Sequence, residues 1–213
     1  MMKPQIIGIS GSPRKNSNTD RMIKTILEAT GVESEFVKLS TINVRPCLGC
    51  FKCVHDNICK QADDFPVIAE KIKQTKALVI GGYIPYSQID GFTKALLERF
   101  WSFRHQTNLL KGKMVATVLT GLAPEALTAV NQSLAMEMEM YENMILMGQL
   151  TIQGNIPCAF CGVGDECKMS SFSIGMADPG ATASDTKYNR VEDQKEVCDE
   201  AVRIGRLMGE HLQ

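Results

Sequence analysis

Gln5 to Ser10 (QIIGIS) is an apolar run long enough for one strand, and it leads directly into GSPRKNSNT, a loop of glycine, proline and hydroxyl residues. From about Asn18 to Thr30 an amphipathic stretch follows, with Met22, Ile23, Ile26 and Leu27 on one face. A buried strand that must turn sharply into a helix is the first unit of an α/β chain. The pattern then repeats: Glu33 to Leu39 reads as a strand, Phe65 to Gln74 as a helix, Ala77 to Gly82 (ALVIGG) as a strand and Gly91 to His105 as a helix. Met114 to Thr120 reads as a strand, Pro124 to Met147 as a long helix, Leu150 to Gln153 as a weak strand and Glu192 to Leu212 as a closing helix. Strands alternating with helices imply right-handed crossovers and a mostly parallel sheet covered on both faces. The expectation is a doubly wound α/β domain with five parallel strands.

The length of 213 residues suits one domain, residues 1–213, because only longer cores are forced to split. Lys plus Arg (23) nearly balance Asp plus Glu (24), so the net charge of −1 offers no electrostatic reason to expect nucleic acid. No apolar run reaches the ~18 residues of a membrane span. The start MMKPQIIGIS enters the glycine loop without the apolar core of a signal peptide. These features lead us to expect a cytoplasmic protein, where thiols do not usually pair as structural disulfides. Its eight cysteines then ask for metal, cluster or redox chemistry. Two stretches break the alternation: residues 46–60, rich in cysteine, and residues 157–189, which lack periodicity and are too long for an ordinary connection. The second is expected to be a functional excursion or an arm toward a neighbouring subunit.

After the first strand come Ser10, Gly11, Ser12, Pro13, Arg14, Lys15, Asn16, Ser17, Asn18 and Thr19. Backbone N–H groups at a helix N-terminus, several hydroxyls and a guanidinium together make an anion site, and a phosphate is its natural occupant. Neither G-x-G-x-x-G nor a P-loop is present. A plain strand-to-helix turn capped by Ser17 or Asn18 is the alternative, but capping needs one such side chain and the loop offers several.

The motif GSPRKNSNT, the segment GGYIPYSQIDGFTKALLERF after the third strand, and the cysteine run between them resemble the flavodoxin-like NAD(P)H-dependent FMN reductases, in particular their iron-sulfur flavoprotein branch. The resemblance covers about residues 5–150. It implies a sheet of order 2-1-3-4-5 with FMN at the carboxyl ends of the strands. By position, Ser10, Ser12, Arg14, Ser17, Asn18 and Thr19 would hold the FMN phosphate. Tyr83, Ile84, Pro85, Tyr86 and Ser87 would lie against the isoalloxazine, with Gly91 opening the next helix and Lys94 and Arg99 completing the family pattern. Thr120, Gly121 and Leu122 would form a third flavin-side loop. Where the family usually has Pro-Val-Tyr, this chain has Tyr83-Ile84-Pro85-Tyr86, so Tyr86 is either a flavin contact or a packed aromatic.

Cys47, Cys50, Cys53 and Cys59 can curl round one cubane, and their compact spacing favours iron-sulfur over zinc, whose ligands more often split into two separated pairs. A cysteine-rich loop that merely packs is the alternative. The resemblance implies one [4Fe-4S] cluster here, with His55 at the surface. Cys158, Cys161 and Cys167, with Cys198 as a fourth, could hold a second cluster or zinc; a redox dithiol and unligated thiols are the competing readings. Met136, Met138, Met140, Met144 and Met147 spread round their stretch between glutamates, which suits packing or a subunit interface better than metal binding.

Together these readings predict an FMN and iron-sulfur oxidoreductase that transfers electrons between a one-electron carrier such as ferredoxin and a two-electron partner. The resemblance adds a homodimer or homotetramer. An NAD(P)H-dependent FMN or quinone reductase without a cluster, and a metal- or redox-sensing protein on the same scaffold, are the alternatives.

Overall fold

The structure is a computed structural model describing residues 4–213. Strand β1 (Ile6–Ser10) lies between β2 (Ser34–Lys38) and β3 (Ala77–Tyr83), and β4 (Met114–Gly121) and β5 (Ile145–Gln153) continue the sheet beyond β3. The order is β2-β1-β3-β4-β5 and every pairing is parallel, as expected. The order in which strands are added reverses at β1, so a crevice opens beyond the carboxyl ends of β1 and β3.

Side chains alternate along each strand and so feed two cores. On one face, Ile6, Val79 and Val118 pack with Ile23 and Ile26 of α1 (Asn18–Ala29) and Ile204 and Met208 of α5 (Lys195–Leu212). On the other, Ile7, Ile9, Leu78 and Ile80 pack with residues of three helices. These are Phe65 and Ile72 of α2 (Phe65–Gln74), Leu96 and Phe100 of α3 (Gly91–Phe100), and Leu127 and Leu134 of α4 (Pro124–Met136).

Four boundaries differ from expectation by three residues or more. Helix α3 ends at Phe100 and a 3₁₀ turn covers Trp101–Phe103, where the Ser102 hydroxyl bonds back to the Arg99 carbonyl at 2.9 Å. Helix α4 ends at Met136, passes through one π-helical turn (Glu137–Tyr141) and reverses at Asn143, whose φ of 52° is left-handed. Strand β5 therefore starts at Ile145, inside the stretch expected to be helical. Met, Leu and Glu are strong helix formers, and they masked the start of this edge strand. The methionines consequently fall on different elements: Met138 and Met144 are buried in the core beneath α2, α3 and α4, Met147 packs against the core on the opposite face, and Met136 and Met140 are exposed. Finally, α5 begins at Lys195, with a 3₁₀ turn at Val191–Asp193 ahead of it.

Between Pro157 and Asn189 the chain forms turns and one 3₁₀ segment, matching the irregular excursion. Among the described residues no helix is long and apolar enough to cross a membrane.

Candidate functional site

The loop after β1 is organised by a carboxylate. Asp20, 2% exposed, accepts from the Ser10 hydroxyl at 2.6 Å, the Ser17 amide at 3.2 Å and Lys38 Nζ at 2.6 Å. The Ser17 hydroxyl accepts in turn from the Asp20 amide at 3.1 Å, closing a capping box at the start of α1. Lys38 also bonds the Arg14 carbonyl at 2.8 Å, which pins the loop to β2. The hydroxyls thus differ in what they can offer an anion. Ser10 gives its only proton to Asp20, whereas Ser17 accepts in its box and keeps a proton to donate.

Gly11 makes the turn possible. A Cβ there would lie 2.0 Å from Thr93 Oγ1 and 2.7 Å from Asp90 Oδ1. Asp90, fully buried at the N-cap of α3, accepts from the Thr93 amide (2.9 Å), the Thr93 hydroxyl (2.8 Å) and the Tyr83 amide (3.1 Å). Burial pushes its carboxyl up, against these hydrogen bonds. Asp90 and Thr93 fasten the loop after β3 beneath the loop after β1.

Between these loops lies a cavity of about 340 Å³, lined by Ser12, Pro13, Arg14, Ser17, Asn18 and Thr19 from the first loop. Tyr83, Ile84 and Pro85, then Thr120, Gly121 and Leu122, line it from the ends of β3 and β4, and Gly154, Asn155, Pro157 and Tyr188 complete it. Its volume is that of a small-molecule site. Its walls combine the N-terminus of α1, a guanidinium and hydroxyls from the first loop with Ile84, Pro85, Leu122, Pro157 and Tyr188 from the others. That mixture fits a ligand with a phosphate and an aromatic ring, as a flavin mononucleotide has. A groove of about 560 Å³ on the outer face of α5 has only that helix's surface residues as walls.

Four expected residues stand away from the cavity walls. Ser10 lies behind the loop, held by Asp20. Tyr86 is fully exposed with φ 50° and ψ 39°, and so is neither a wall of the cavity nor a packed aromatic. Ser87 turns to a second cavity of about 480 Å³ between α3 and α4, near Lys94 and Glu137. Gly91 begins α3 with open space around its Cα.

Four cavity walls beyond position 150 were missed: Gly154, Asn155, Pro157 and Tyr188. Asn155 and Asn189 bond reciprocally, the Asn155 side-chain NH₂ to the Asn189 carbonyl (3.1 Å) and the Asn189 amide to Asn155 Oδ1 (2.6 Å). Asn18 Nδ2 donates to the same carbonyl at 3.0 Å. This knot seats Tyr188 against the cavity. No local pattern in the irregular arm announces it, whereas Asp20, also missed, carries a local signal as the fourth residue of a capping box beginning at Ser17.

Cys47, Cys50, Cys53 and Cys59 line one small pocket with Arg99 and Trp101. Burial pushes the Cys53 thiol up, as do the other three cysteines, which places each of them within electrostatic reach of Cys53. The loop is held from α3 and the chain just after it. Arg99 donates to Cys59 Sγ (3.1 Å) and the Arg45 carbonyl (2.9 Å), and Glu98 accepts from the Cys47 amide (3.2 Å). Cys53 Sγ lies 3.3 Å from His105 Nε2, and Asn57, with φ 57°, bonds to Gln106 and Thr107. Among the described residues no group of three or more His, Cys, Asp or Glu side chains is arranged to hold a single metal ion. The thiolates round a cubane each bind a different iron and stand farther apart than ligands of one ion, so a shared pocket is compatible with a cluster.

Cys158, Cys161 and Cys167 lie in the arm. Cys198 is separate, on α5, donating to the Val191 carbonyl at 3.2 Å.

The chain is 33% identical over 98 residues to an iron-sulfur flavoprotein of Methanocaldococcus jannaschii, a match covering 45% of this chain and 51% of the relative. It is 32% identical over 120 residues to an iron-sulfur flavoprotein of Methanosarcina thermophila, covering 55% of this chain and 63% of the relative. The chain thus spans between half and two thirds of these relatives' length. The Trp repressor binding protein from Bacillus subtilis shares the fold with a TM-score of 0.61 at 15% identity, covering 93% of this chain and 98% of that one. Residues 4–155, which carry the sheet, the first loop and the cysteine pocket, match the model of the NADPH-dependent FMN reductases, and the chain belongs to that family.

Proposed function

We propose that the protein is an FMN-dependent iron-sulfur flavoprotein oxidoreductase, moving electrons between a one-electron carrier such as ferredoxin and a two-electron donor or acceptor. The observation that carries this reading is the coexistence of a mixed polar and apolar cavity at the switch point with a four-cysteine pocket braced by a buried arginine. The name iron-sulfur flavoprotein, borne by the curated relatives, supports it. Bound FMN supplies one- and two-electron chemistry, and a [4Fe-4S] cluster supplies one-electron transfer.

This chain's residues would bind and orient. Ser12, Arg14, Ser17, Asn18, Thr19 and the first amides of α1 would receive the phosphate, while Ser10 positions the loop through Asp20. Tyr83 to Pro85, Thr120 to Leu122, Pro157 and Tyr188 would exclude water from the ring. Cys47, Cys50, Cys53 and Cys59 would ligate the cluster, with Arg99 directing an N–H at the Cys59 sulfur. The cavity and the cysteine pocket share no lining residue. That separation suits a homodimer or homotetramer in which one subunit's cluster faces its neighbour's flavin. We read residues 1–213 as one flavodoxin-like domain, and its eight unpaired cysteines suit the cytoplasm.

The test is quantification of flavin, iron, acid-labile sulfide and zinc on one anaerobic preparation. Flavin with iron and sulfide in cluster proportion is expected; absence of both would sink the reading. Flavin bleached by NADPH in iron-free protein would select a cluster-free FMN or quinone reductase, and zinc with an empty flavin site would select a sensor.

A further inference from the structure

The arm carries thiols that the flavin and the cluster leave unused. Pro157 and Tyr188, at its two ends, are walls of the cavity, and Phe160 packs edge-on against Tyr188 with ring centroids 5.3 Å apart. Cys158 and Cys161 ride the 3₁₀ turn Pro157–Phe160, with Cys161 at its end. Residues three apart on such a turn eclipse one another at ~6 Å along its axis, a Cα separation that a disulfide spans. Cys161 is folded back toward its partner, its thiol donating to the Cys158 carbonyl at 3.3 Å.

The two sulfurs are not equivalent. Cys158 Sγ accepts from the Ser171 amide at 3.5 Å and lies 3.7 Å from the Ser171 hydroxyl. The Ser171 amide, and then its hydroxyl, hold this thiol below the ordinary cysteine range, whereas burial pushes Cys53 and Cys198 up. Cys158 is partly exposed and Cys161 exposed, so both can be reached from solvent.

The surrounding backbone is specific to this arrangement. At Gly164 a Cβ would lie 2.1 Å from the Cys158 carbonyl oxygen, so only glycine lets the following loop close over the turn. The next residue, Asp165, accepts from the amides of Ala183 (2.5 Å) and Ser184 (2.9 Å), tying that loop to the far side of the arm. Cys167 sits beyond this clamp with its amide on the Val163 carbonyl at 3.0 Å, and Cys198 is away on α5. The pair, and not the foursome, is the structural unit.

We propose that Cys158 and Cys161 form a redox-active dithiol at the lip of the cavity, with Cys158 as nucleophile, exchanging with low-molecular-weight disulfides. The Cys158 thiolate attacks one sulfur of the external disulfide, forming a mixed disulfide and releasing one thiolate. Cys161 then loses its proton and attacks Cys158 Sγ, forming the internal disulfide and releasing the second thiolate. The dithiol is oxidised by two electrons, and the external disulfide is reduced to two thiols. An external dithiol reverses the sequence. This goes beyond the flavin and cluster reading and stands or falls separately from it.

The test equilibrates the full chain anaerobically in glutathione and glutathione-disulfide buffers of graded ratio, traps free thiols by alkylation and maps the linkages by mass spectrometry. We expect a Cys158–Cys161 bridge appearing in one two-electron transition, a mixed disulfide accumulating on Cys158 in Cys161→Ser, and a Cys158 alkylation profile displaced to higher pH in Ser171→Ala. Thiols that stay reduced at the most oxidising ratio overturn the proposal, as does a bridge to Cys167. Cys158 and Cys161 shielded from alkylation by a stoichiometric metal also overturn it. Mapping of the wild-type chain decides the matter even where a variant fails to fold.

Discussion

Arg99 and Asp63 form an ion pair with both side chains at 0% exposure, Arg99 Nη1 lying 2.5 Å from Asp63 Oδ2 and Nη2 3.1 Å from Oδ1. The same guanidinium stacks 4.4 Å from the Phe65 ring centroid and bonds to Cys59 Sγ and the Arg45 carbonyl, so one cation fastens both ends of the cysteine loop. The amides of Arg45 (3.0 Å) and Phe65 (3.1 Å) and the Gln61 side-chain NH₂ (3.3 Å) also donate to Asp63.

Removing one member of such a pair strands the other charge. Arg99→Met is expected to destabilise the protein by about 3–5 kcal/mol, and Arg99→Met combined with Asp63→Leu to recover part of that loss. Denaturant unfolding under reducing conditions measures both. Burial raises the Asp63 carboxyl, but Arg99 and the two amides outweigh it and leave it below the ordinary range. The stability it contributes is therefore present above its unfolded value of about 3.9 and lost as pH falls through the lower folded value.

Asp20 separates loop order from direct anion contact. Asp20→Ala releases Ser10, the Ser17 amide and Lys38 together and removes half of the capping box, so FMN should bind at least ~10-fold more weakly, a loss of about 1.4 kcal/mol. Arg14→Ala should weaken FMN comparably by removing a cavity-wall cation. Ser10→Ala should cost less, because that hydroxyl already spends its proton on Asp20. Fluorescence titration of apoprotein with FMN ranks the three, and Ser10→Ala proving the most damaging would refute this division of labour.

What the sequence made legible follows from how local each signal is. The strand QIIGIS, the hydroxyl-rich loop and the capping residues at Ser17 are set by neighbours in sequence, so the first strand and the phosphate end could be read from the residues, whereas the strand order came from the family resemblance. Tyr188 and the Asn155–Asn189 knot join segments 34 positions apart through an irregular arm, and no periodicity encodes that. Arg99 could be placed in the family pattern, but its pairing with Asp63, 36 positions away, is a tertiary fact. The start of β5 was hidden because Met, Leu and Glu continue the helical composition past the π turn.

Tyr86 tests whether the resemblance extends to the ring-stacking residue. Its left-handed backbone is unusual for a bulky side chain, and full exposure leaves it nothing to pack against. Tyr86→Gly should stabilise the apoprotein by about 0.5–1 kcal/mol, the ~1–2 kcal/mol relieved exceeding the ~0.5–1 kcal/mol of extra chain entropy. FMN affinity should stay within about threefold, since Tyr86 is not a cavity wall. A tenfold loss would mean that the ring swings onto the flavin.

Glu142 predicts a pH dependence of opposite sign to Asp63. It is 3% exposed, its Oε2 has no hydrogen-bond partner among the described residues, and Arg104 Nη1 lies 3.4 Å from Oε1. Burial pushes its carboxyl up to about 7, against the lowering pull of Arg104 and with a smaller raising contribution from Glu137. Between the unfolded value of about 4.3 and the folded value the native state holds a proton that the unfolded chain has released. Stability from this group is therefore complete at low pH and declines as pH rises through about 7, by about 3.7 kcal/mol at most. Glu142→Gln stays neutral throughout. Unfolding of both proteins at about pH 5 and about pH 8 cancels the groups they share, and the variant should gain on the wild type by ~2–3 kcal/mol across that interval. A difference that does not change with pH would show that Glu142 is already ionised in the fold, held by Arg104.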